Sequence, residues 1–282
     1  MSDWFDEPVT VDLGLDELED LHEIGRGGFG VVYRAIQTDF ARTVAVKAIV
    51  TPIDLKLLSR FDHERRAMGA LSGHPYIVTV FSGGLSRTGY PYIIMEFLEG
   101  GSLADIIERR PFSWRDAAGI GRKIGQALHG AHGAGVLHRD VKPENILLSQ
   151  YGEPKLGDFG LARLEGATKT TTGIVTASLA HAAPEVLAGH NPSVSSDIYS
   201  LGSTVYALIA GVPPFVRPDD SSLAPIVRRI REDPVPDLRA AHVPDPVCRV
   251  IERALAKDPK MRHPSAADLS RELAEALAAA DR

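Results

Sequence analysis

Two short stretches of the chain carry the residue types that phosphate chemistry requires. Residues 138–145 read HRDVKPEN and residues 158–160 read DFG. Transfer of a phosphoryl group needs hard oxygen ligands for a divalent cation, positive charge beside the phosphate and a base at the attacking hydroxyl. The carboxylates, carboxamide and lysine of these stretches supply those groups. Asp and Asn are also common in turns, where they bond to the backbone. A turn, however, requires neither Lys142 nor both motifs, so we expect a phosphotransfer centre.

A glycine-rich turn lies near the start of the chain. Residues 24–33 read IGRGGFGVVY. Glycine lets the backbone approach phosphates without a Cβ atom, and the β-type runs on both sides predict a hairpin lid. The same glycine spacing could open a dinucleotide-binding fold. That fold needs a helix directly after the glycines, whereas residues 31–35 read VVYRA, which is typical of a strand.

The next segments alternate between strand and helix patterns. Residues 43–50 alternate with period two, which predicts a strand with Ala45 and Lys47 on one face and the valines on the other. Residues 60–71 have the pattern of a helix with one apolar face. Residues 90–98 read as a strand that ends before a pair of glycines, and this loss of periodicity predicts a linker.

The second half of the chain has helical composition. Residues 103–109 and 114–131 have helical periodicity, and the second of these segments leads into residues 138–145. Further helices are expected from residue 224 to the C-terminus. His129, His132 and His138 lack a cysteine or carboxylate partner at metal-ligand spacing, and glycines separate them, so a metal site there is disfavoured.

Composition and charge exclude several classes of protein. The 282 residues are 44% hydrophobic, enough to bury one large core or two lobes, and we expect two. The net charge is -6 without a long basic run, which gives no electrostatic support for binding to nucleic acid or an anionic membrane. The single cysteine, Cys248, lies in an apolar-periodic segment, so we expect a buried core residue and no disulfide within the chain.

We find no signal-peptide pattern at the start of the sequence. The longest apolar stretch, residues 201–212, is too short to span a bilayer. These features predict a soluble, cytoplasmic protein. Residues 1–20 hold eight acidic side chains and neither Lys nor Arg, and we interpret them as a loosely ordered acidic lead-in.

The HRDxKxxN and DFG motifs together are very specific. On them the chain resembles the bacterial eukaryotic-like (Hanks-type) serine/threonine protein kinases, and within that group the kinase domains of actinobacterial PknK-type regulators, over residues 21–275. The resemblance implies an α+β, bilobal protein-kinase-like fold. A small β-rich N-lobe with one main helix would span residues 21–96, a hinge residues 97–101, and a larger α-helical C-lobe residues 102–282.

The resemblance also implies the roles of the catalytic residues. Asp140 would accept the proton of the substrate hydroxyl, Lys142 would neutralise the transferring phosphoryl group, and Ser178 would bridge the two. Lys47 would reach the α and β phosphates with Glu64 as its partner. Asn145 and Asp158 would hold Mg²⁺, or Mn²⁺ in its place.

The nucleotide would be ATP. The resemblance implies that its site is formed by the glycine turn, the inner face of the sheet, the hinge and one C-lobe strand: Ile24, Gly25, Gly27, Gly30, Val32, Ala45, Lys47, Met95, Glu96, Leu98 and Leu147. Glu96 and Leu98 would act through their backbone groups. These assignments depend on the resemblance, because side-chain identity says little about backbone contacts.

Further positions have structural roles by resemblance. Glu185 would pair with Arg262, and Asp197 would hold the backbone of the catalytic loop. His138 would pack in an apolar column with Met68, Val80 and Phe159.

The sequence departs from the family pattern before the APE motif at residues 183–185. It has Ala177-Ser178 where the family usually has Gly-Thr, and His181 in place of an aromatic residue. Ser178 keeps the hydroxyl that would bridge Asp140 and Lys142, whereas His181 would alter the wall that faces the substrate.

The expected function is transfer of the γ-phosphate of Mg-ATP to Ser/Thr hydroxyls of proteins in bacterial signalling. Autophosphorylation is expected within residues 168–176, with Thr172 and then Thr170 as the best candidates and self-association of two chains as one route. Partners would be protein substrates, with no nucleic acid and no membrane segment in this chain.

Two alternative functions are considered. One is a pseudokinase, which commonly loses one of Lys47, Asp140 or Asp158. The other is a small-molecule phosphotransferase, which would lack Lys142 and the APE motif.

Overall fold

The computed structural model describes residues 13–27, 30–49, 61, 65–66, 68–159 and 179–280. The chain divides into two compact units. The first contains Met1–Arg65 and Val80–Phe97, and the second contains Arg66–Thr79 and Leu98–Arg282. Residues 66–79 thus group with the second unit, whereas the sequence placed them in a contiguous N-lobe. The lobe boundaries themselves stay a prediction.

The first unit is built around an antiparallel sheet. Among the described residues it has five strands in the order β1-β2-β3-β5-β4. Their bounds are β1 Leu18–Gly27, β2 Gly30–Gln37, β3 Arg42–Ala48, β4 Val80–Leu85 and β5 Pro91–Glu96. The predicted glycine hairpin and the strands over residues 43–50 and 90–98 are confirmed, whereas β4 was not predicted.

One face of this sheet covers the core of the first unit. Alternate residues of β2 and β3 point into it, and the buried cluster contains Leu13, Leu18, Val31, Tyr33, Ala35, Val44, Val46, Ala48 and Ile94. Period-two alternation of β-branched and polar residues produces this arrangement, because successive side chains of a strand point to opposite faces. The valine face predicted for β3 is therefore confirmed over its described residues.

The start of the described chain corrects one expectation. Residues 13–20 were interpreted as part of a loosely ordered acidic lead-in, but Leu13 is only 2% exposed and Leu18 opens β1. Leu15 and Leu21 also pack against the core cluster. Burial of these leucines outweighs the local excess of acids, of which Asp16, Glu19 and Asp20 are exposed.

The second unit is mainly helical. Its helices are α1 Leu103–Ile107, α2 Trp114–Gly133, α3 Pro184–Leu187, α4 Val194–Ala210, α5 Leu223–Glu232, α6 Asp245–Ala254 and α7 Ala266–Ala280. The helices predicted over residues 103–109 and 114–131 and in the C-terminal part are confirmed. Residues 61, 65–66 and 68–71 are also helical, as expected for the segment 60–71.

Helix caps and apolar faces explain this arrangement. Ser113 accepts the backbone N–H of Asp116 at 3.1 Å to begin α2, and Ser193 begins α4 with a reciprocal capping box. The buried faces of α2 and α4 pack together, and α2 also packs on α7. Cys248 is buried in α6 as predicted. Among the described helices, none has the length and apolar character needed to cross a bilayer.

A short hairpin completes the second unit. It consists of β6 Ile146–Leu148 and β7 Pro154–Leu156, and its turn is formed by residues 149–153. Leu148 donates to the Gly101 carbonyl at 2.9 Å and accepts from Gly100 N at 3.0 Å. The predicted linker glycines are thereby fixed to the hairpin that follows residues 138–145.

Candidate active site

A buried carboxylate holds the backbone of the catalytic loop, residues 138–145. Asp197, in the first turn of α4, accepts the Arg139 N–H at 2.8 Å with Oδ1 and the His138 N–H at 2.9 Å with Oδ2. Asp197 has no exposed surface, so these bonds form away from water, where they are strongest. The predicted bracing role of Asp197 is confirmed.

His132 is a further member of this anchor that the sequence analysis missed. Its Nε2 lies 2.8 Å from Asp197 Oδ2, and its side chain is nearly buried in the last turn of α2. The sequence analysis considered His132 only as a metal ligand. Its position six residues before His138, at the end of the helix that leads into the loop, is the signal that could have indicated its role.

The loop brings three of the predicted site residues together. Lys142 Nζ lies 2.8 Å from Asp140 Oδ2. Asn145 Nδ2 donates to the Asp140 carbonyl at 2.7 Å and to Asp140 Oδ2 at 3.0 Å. The carboxylate of Asp140 is therefore fixed by a cation and an amide. Thr204 of α4 supports the loop from below, because its hydroxyl donates to the Val141 carbonyl at 3.3 Å.

The segment that carries Asp158 is joined to the same loop. Gly157 N donates to the Asn145 carbonyl at 2.9 Å, and His138 Nε2 donates to the Gly157 carbonyl at 2.7 Å. The His138 ring also meets the Phe159 ring edge to face, with centroids 4.7 Å apart. His138 is thus a packing residue, as predicted, and burial lowers its pKa, so the ring is neutral.

Two residues of the site have unusual backbone conformations. Arg139 has φ 71° and Asp158 has φ 56°, in the left-handed region that residues other than glycine rarely adopt. Each costs free energy that the surrounding bonds must supply. Asp197 holds Arg139 N, and the bonds of Gly157 hold the residue before Asp158, so the strain lies where the loop is fixed most firmly.

His181, the departure from the family pattern, faces α4. Its Nδ1 lies 2.9 Å from Ser203 Oγ, and the side chain is buried. Burial and then the charge of Lys142 lower the pKa of His181 to about 4, with Asp140 acting in the opposite direction. His181 is therefore neutral at pH 7. Together with Pro143 and Glu144 of the loop, it lines a cavity of about 330 Å³.

The first unit presents the predicted nucleotide residues on one face of its sheet. In the strand register Val32 lies opposite Lys47, and Ala45 lies opposite Met95. These four side chains are therefore on the face away from the core cluster. Lys47 is buried.

The glycines of the turn differ in how much space surrounds a Cβ atom added at each position. A Cβ atom on Gly30 would lie 1.9 Å from the Ala48 carbonyl oxygen, whereas one on Gly25 would meet no atom within 4 Å. Gly30 is thus required by close packing of β2 on the end of β3. Gly27 pairs with Gly30 across the hairpin, and Ile24 is exposed.

The predicted hinge residues Glu96 and Leu98 belong to different units. Glu96 is the last residue of β5 in the first unit. Leu98 is a buried residue of the second unit and accepts the Gly101 N–H at 3.4 Å. Leu147 pairs with Ser102 in an isolated bridge, so β6 and the segment after the hinge lie side by side.

Several predicted residues lie outside the described part of the chain. They are Glu64, Thr170, Thr172, Ala177 and Ser178. Val80 lies in the first unit, whereas Met68, His138 and Phe159 lie in the second. Of the predicted apolar column, the contact of His138 with Phe159 is the one described above.

The ion pair predicted between Glu185 and Arg262 is confirmed. Both oxygens of Glu185 accept from Arg262, each at 2.7 Å, and the Arg262 side chain has no exposed surface. The guanidinium also donates to the carbonyls of Ala256 and Ser195. This fork fixes α3 to the segment between α6 and α7.

A family comparison accounts for these features together. The protein kinase domain family matches residues 18–272. The chain belongs to the protein kinase domain family. The resemblance drawn from the HRDxKxxN and DFG motifs is therefore confirmed, and so is the expected fold, with its five-stranded sheet followed by a helical part.

Three relatives illustrate the similarity of this kinase domain to known proteins. The chain is 47% identical over 264 residues to the serine/threonine-protein kinase PknK of Mycobacterium bovis, covering 93% of this chain and 24% of that protein. It is 37% identical over 270 residues to PknB of Mycolicibacterium smegmatis, covering 91% and 43%. The crystal structure of the Mycobacterium tuberculosis PknI kinase domain superposes with a TM-score of 0.68 at 26% identity, covering 94% and 98%. The chain thus spans about a quarter of the length of the PknK relatives.

Proposed function

We propose that this kinase domain is a serine/threonine protein kinase, which transfers the γ-phosphate of ATP to Ser or Thr hydroxyls of proteins in bacterial signalling. The observation that carries the proposal is the Asp140 carboxylate held between Lys142 Nζ and Asn145 Nδ2. A carboxylate fixed in this way can accept a proton from a hydroxyl, while the adjacent ammonium offsets negative charge on a phosphate.

Asp140 is the proposed base. Its Oδ2 accepts from Lys142 Nζ and from Asn145 Nδ2, and these two donors set the orientation of the carboxylate. The substrate hydroxyl gives its proton to this group as its oxygen attacks phosphorus. Lys142 is the proposed cation that stabilises the phosphoryl group during transfer, and we propose that the Ser178 hydroxyl bridges it to Asp140.

The donor set of the second unit fits a magnesium ion. Both amide hydrogens of Asn145 point to Asp140, so the remaining polar atom of its side chain is the oxygen Oδ1. Together with the Asp158 carboxylate, this gives hard oxygen ligands of the type that Mg²⁺ or Mn²⁺ prefers. Asn145 and Asp158 would hold the metal, which supplies charge neutralisation at the phosphates.

The first unit supplies the proposed nucleotide face. Val32, Ala45 and Met95 offer an apolar surface to a base, and Lys47 on the same face offers positive charge to phosphates. We propose Glu64 as the partner of Lys47. The remaining proposed nucleotide contacts are the backbone and side chains of Ile24, Gly25, Gly27, Gly30, Glu96, Leu98 and Leu147.

Protein acceptors are supported by an open cavity beside the catalytic loop. It is lined by Glu144 of the loop, His181 of the following segment and residues of α1 and the end of α4.

We further propose that Thr172 and Thr170 are autophosphorylated. A phosphothreonine brings nearly two negative charges, which a guanidinium such as Arg139 can bind. Self-association of two chains is the proposed route.

The test is transfer of label from γ-labelled ATP with Mg²⁺ to the chain itself and to a generic protein acceptor. After acid hydrolysis, label is expected on phosphoserine and phosphothreonine and absent from phosphotyrosine. Peptide mapping is expected to place part of the label within residues 168–176. Label on phosphotyrosine alone, or on a small-molecule acceptor but no protein, would contradict the proposal.

A further inference from the structure

A second cavity of the helical unit has the composition of an anion site. It measures about 420 Å³ and lies between α2, α7 and the turn at His74. Its described lining contains two arginines, two histidines, a glutamine and a serine, and no aspartate or glutamate: His74, Arg122, Gln126, His129, Gly130, Ala267, Ser270, Arg271 and Ala274. This lining is unusual for a chain whose net charge is -6.

The donors on α2 form one stripe. Arg122, Gln126 and His129 are spaced by four and three residues, which places them on the same side of a helix. Within the part of the chain that the structure describes, none of these three side chains has a hydrogen bond or an ion pair. A half-buried guanidinium without a counter-charge is costly, and an anion in the cavity would supply that charge.

His74 adds a donor with a defined tautomer. Its Nδ1 accepts the Tyr76 N–H at 3.2 Å, so the proton of the neutral ring is on Nε2. Burial lowers the pKa of His74, which favours that neutral form. A Cβ atom on Gly130 would lie 3.2 Å from His74 Cδ2 and 3.6 Å from Nε2, so the glycine allows the ring to approach α2.

The charge of Arg271 is partly compensated. It donates to Asp268 at 3.0 Å and to Glu275 at 3.1 Å, both on α7. The Ser270 hydroxyl is also engaged, because it donates to the Arg122 carbonyl at 2.9 Å. Arg122 is therefore the main cationic anchor of the cavity, with Gln126, His129 and His74 as neighbouring donors.

We propose that this cavity binds the phosphate group of a small phosphate monoester. A guanidinium fork recognises phosphate oxygens in a bidentate manner, and the imidazole and amide donors match the remaining oxygens. The volume is that of a small-molecule pocket. The cavity shares no residue with the proposed active site, so the inference stands independently of the proposed function.

Titration of the chain with glycerol 3-phosphate, followed by calorimetry, tests the proposal. Saturable binding is expected, with glycerol as an inert reference ligand. Arg122→Ala should weaken binding about tenfold or more, the usual effect of removing a charged hydrogen bond. Gln126→Glu, which adds a carboxylate to the cavity, should weaken it as well. Arg115→Ala removes the same charge two helical turns away, where the guanidinium stacks on Trp114, and should bind like the wild type.

Absence of saturable binding would overturn the proposal. Equal affinity in the wild type and Arg122→Ala, or an equal loss in Arg115→Ala, would also overturn it. Loss of the signal in Lys47→Met would assign it to the proposed nucleotide site and not to this cavity. Binding of a phosphothreonine peptide through Arg122 without binding of glycerol 3-phosphate would contradict the small-molecule assignment. Unliganded Arg122→Ala should unfold at or above the wild-type temperature, because among the described residues the Arg122 side chain has no hydrogen bond or ion pair to lose.

Discussion

His181 is a neutral, buried histidine beside the charges of the catalytic loop. Its hydrogen bond to Ser203 ties the segment before α3 to the middle of α4, one residue from the threonine that supports Val141. The position was identified from the sequence as a departure. Its partner was not predictable, because it depends on which residues of α4 face the loop. The same limit applies to His132, whose partner is 65 residues away in sequence.

Burial of His181 makes stability depend on pH. Its pKa is about 4 in the folded chain and near the ordinary value of 6.5 when unfolded, so between these values the unfolded state binds more protons. The stability that the neutral His181 ring contributes is therefore fully present above pH 6.5 and is lost as the pH falls towards 4. For His181→Asn, the fall in unfolding free energy between pH 7 and pH 5 should be smaller than in the wild type by about 2 kcal/mol.

Urea unfolding at the two pH values measures this difference. His190→Asn, in which an exposed histidine is replaced, serves as the control and should behave like the wild type. An unchanged pH dependence in His181→Asn would show that burial of this ring does not set its protonation.

At the scale of elements, the ion pair of Glu185 with Arg262 fixes α3 to the segment between α6 and α7. The side chains are 15% and 0% exposed. Removing one partner from a buried pair leaves the other charge uncompensated. Glu185→Gln should therefore lower the free energy of unfolding by about 3 kcal/mol. Its matched control is Glu232→Gln, because Glu232 pairs with Arg228 at 3.8 Å on the surface, where such pairs contribute about 0.5 kcal/mol. Equal losses in the two variants, measured by urea unfolding, would show that the buried fork does not stabilise the unit.

The glycine hairpin offers a second test on elements. Gly30→Ala places a Cβ atom against the Ala48 carbonyl, so the start of β2 must shift, at a cost of about 1–3 kcal/mol. Gly25→Ala meets open space in the structure and should cost well under that. The melting temperatures of the two variants make the comparison. If Gly30→Ala melts at or above the temperature of Gly25→Ala, then close packing of β2 on β3 is not the reason for this glycine.

Strand and helix prediction succeeded where periodicity was strong. The valine face of β3 and the long α2 follow directly from residue spacing. The packing of Leu13 and Leu18 was missed because acids surround them in the sequence, and their burial depends on the sheet that they cover. The short β6 and β7 have only three residues each, too few for a period to be detected.

At the scale of the whole molecule, short motifs identify the family, whereas tertiary contacts determine which residues hold the catalytic loop in place. The family match covers residues 18–272, which include the motif residues of both units. The position of each motif residue is described above within its own unit. The cationic cavity had no sequence signal, since its lining comes from three segments separated by 48 and 137 residues, counted from His74 to Arg122 and from Gly130 to Ala267. Such a site is visible only once the helices are packed.

The most direct test of the proposed function is phosphate transfer by Asp140→Asn. Asparagine keeps a side-chain oxygen that can accept from Lys142 and Asn145, so the loop should stay folded while the base is lost. With γ-labelled ATP and Mg²⁺, transfer to protein should fall by about a hundredfold or more, the usual effect of losing a general base. Asp219→Asn, at an exposed position, should retain wild-type activity. Near wild-type transfer by folded Asp140→Asn would contradict the assignment of Asp140 as the base, and with it the proposed active site.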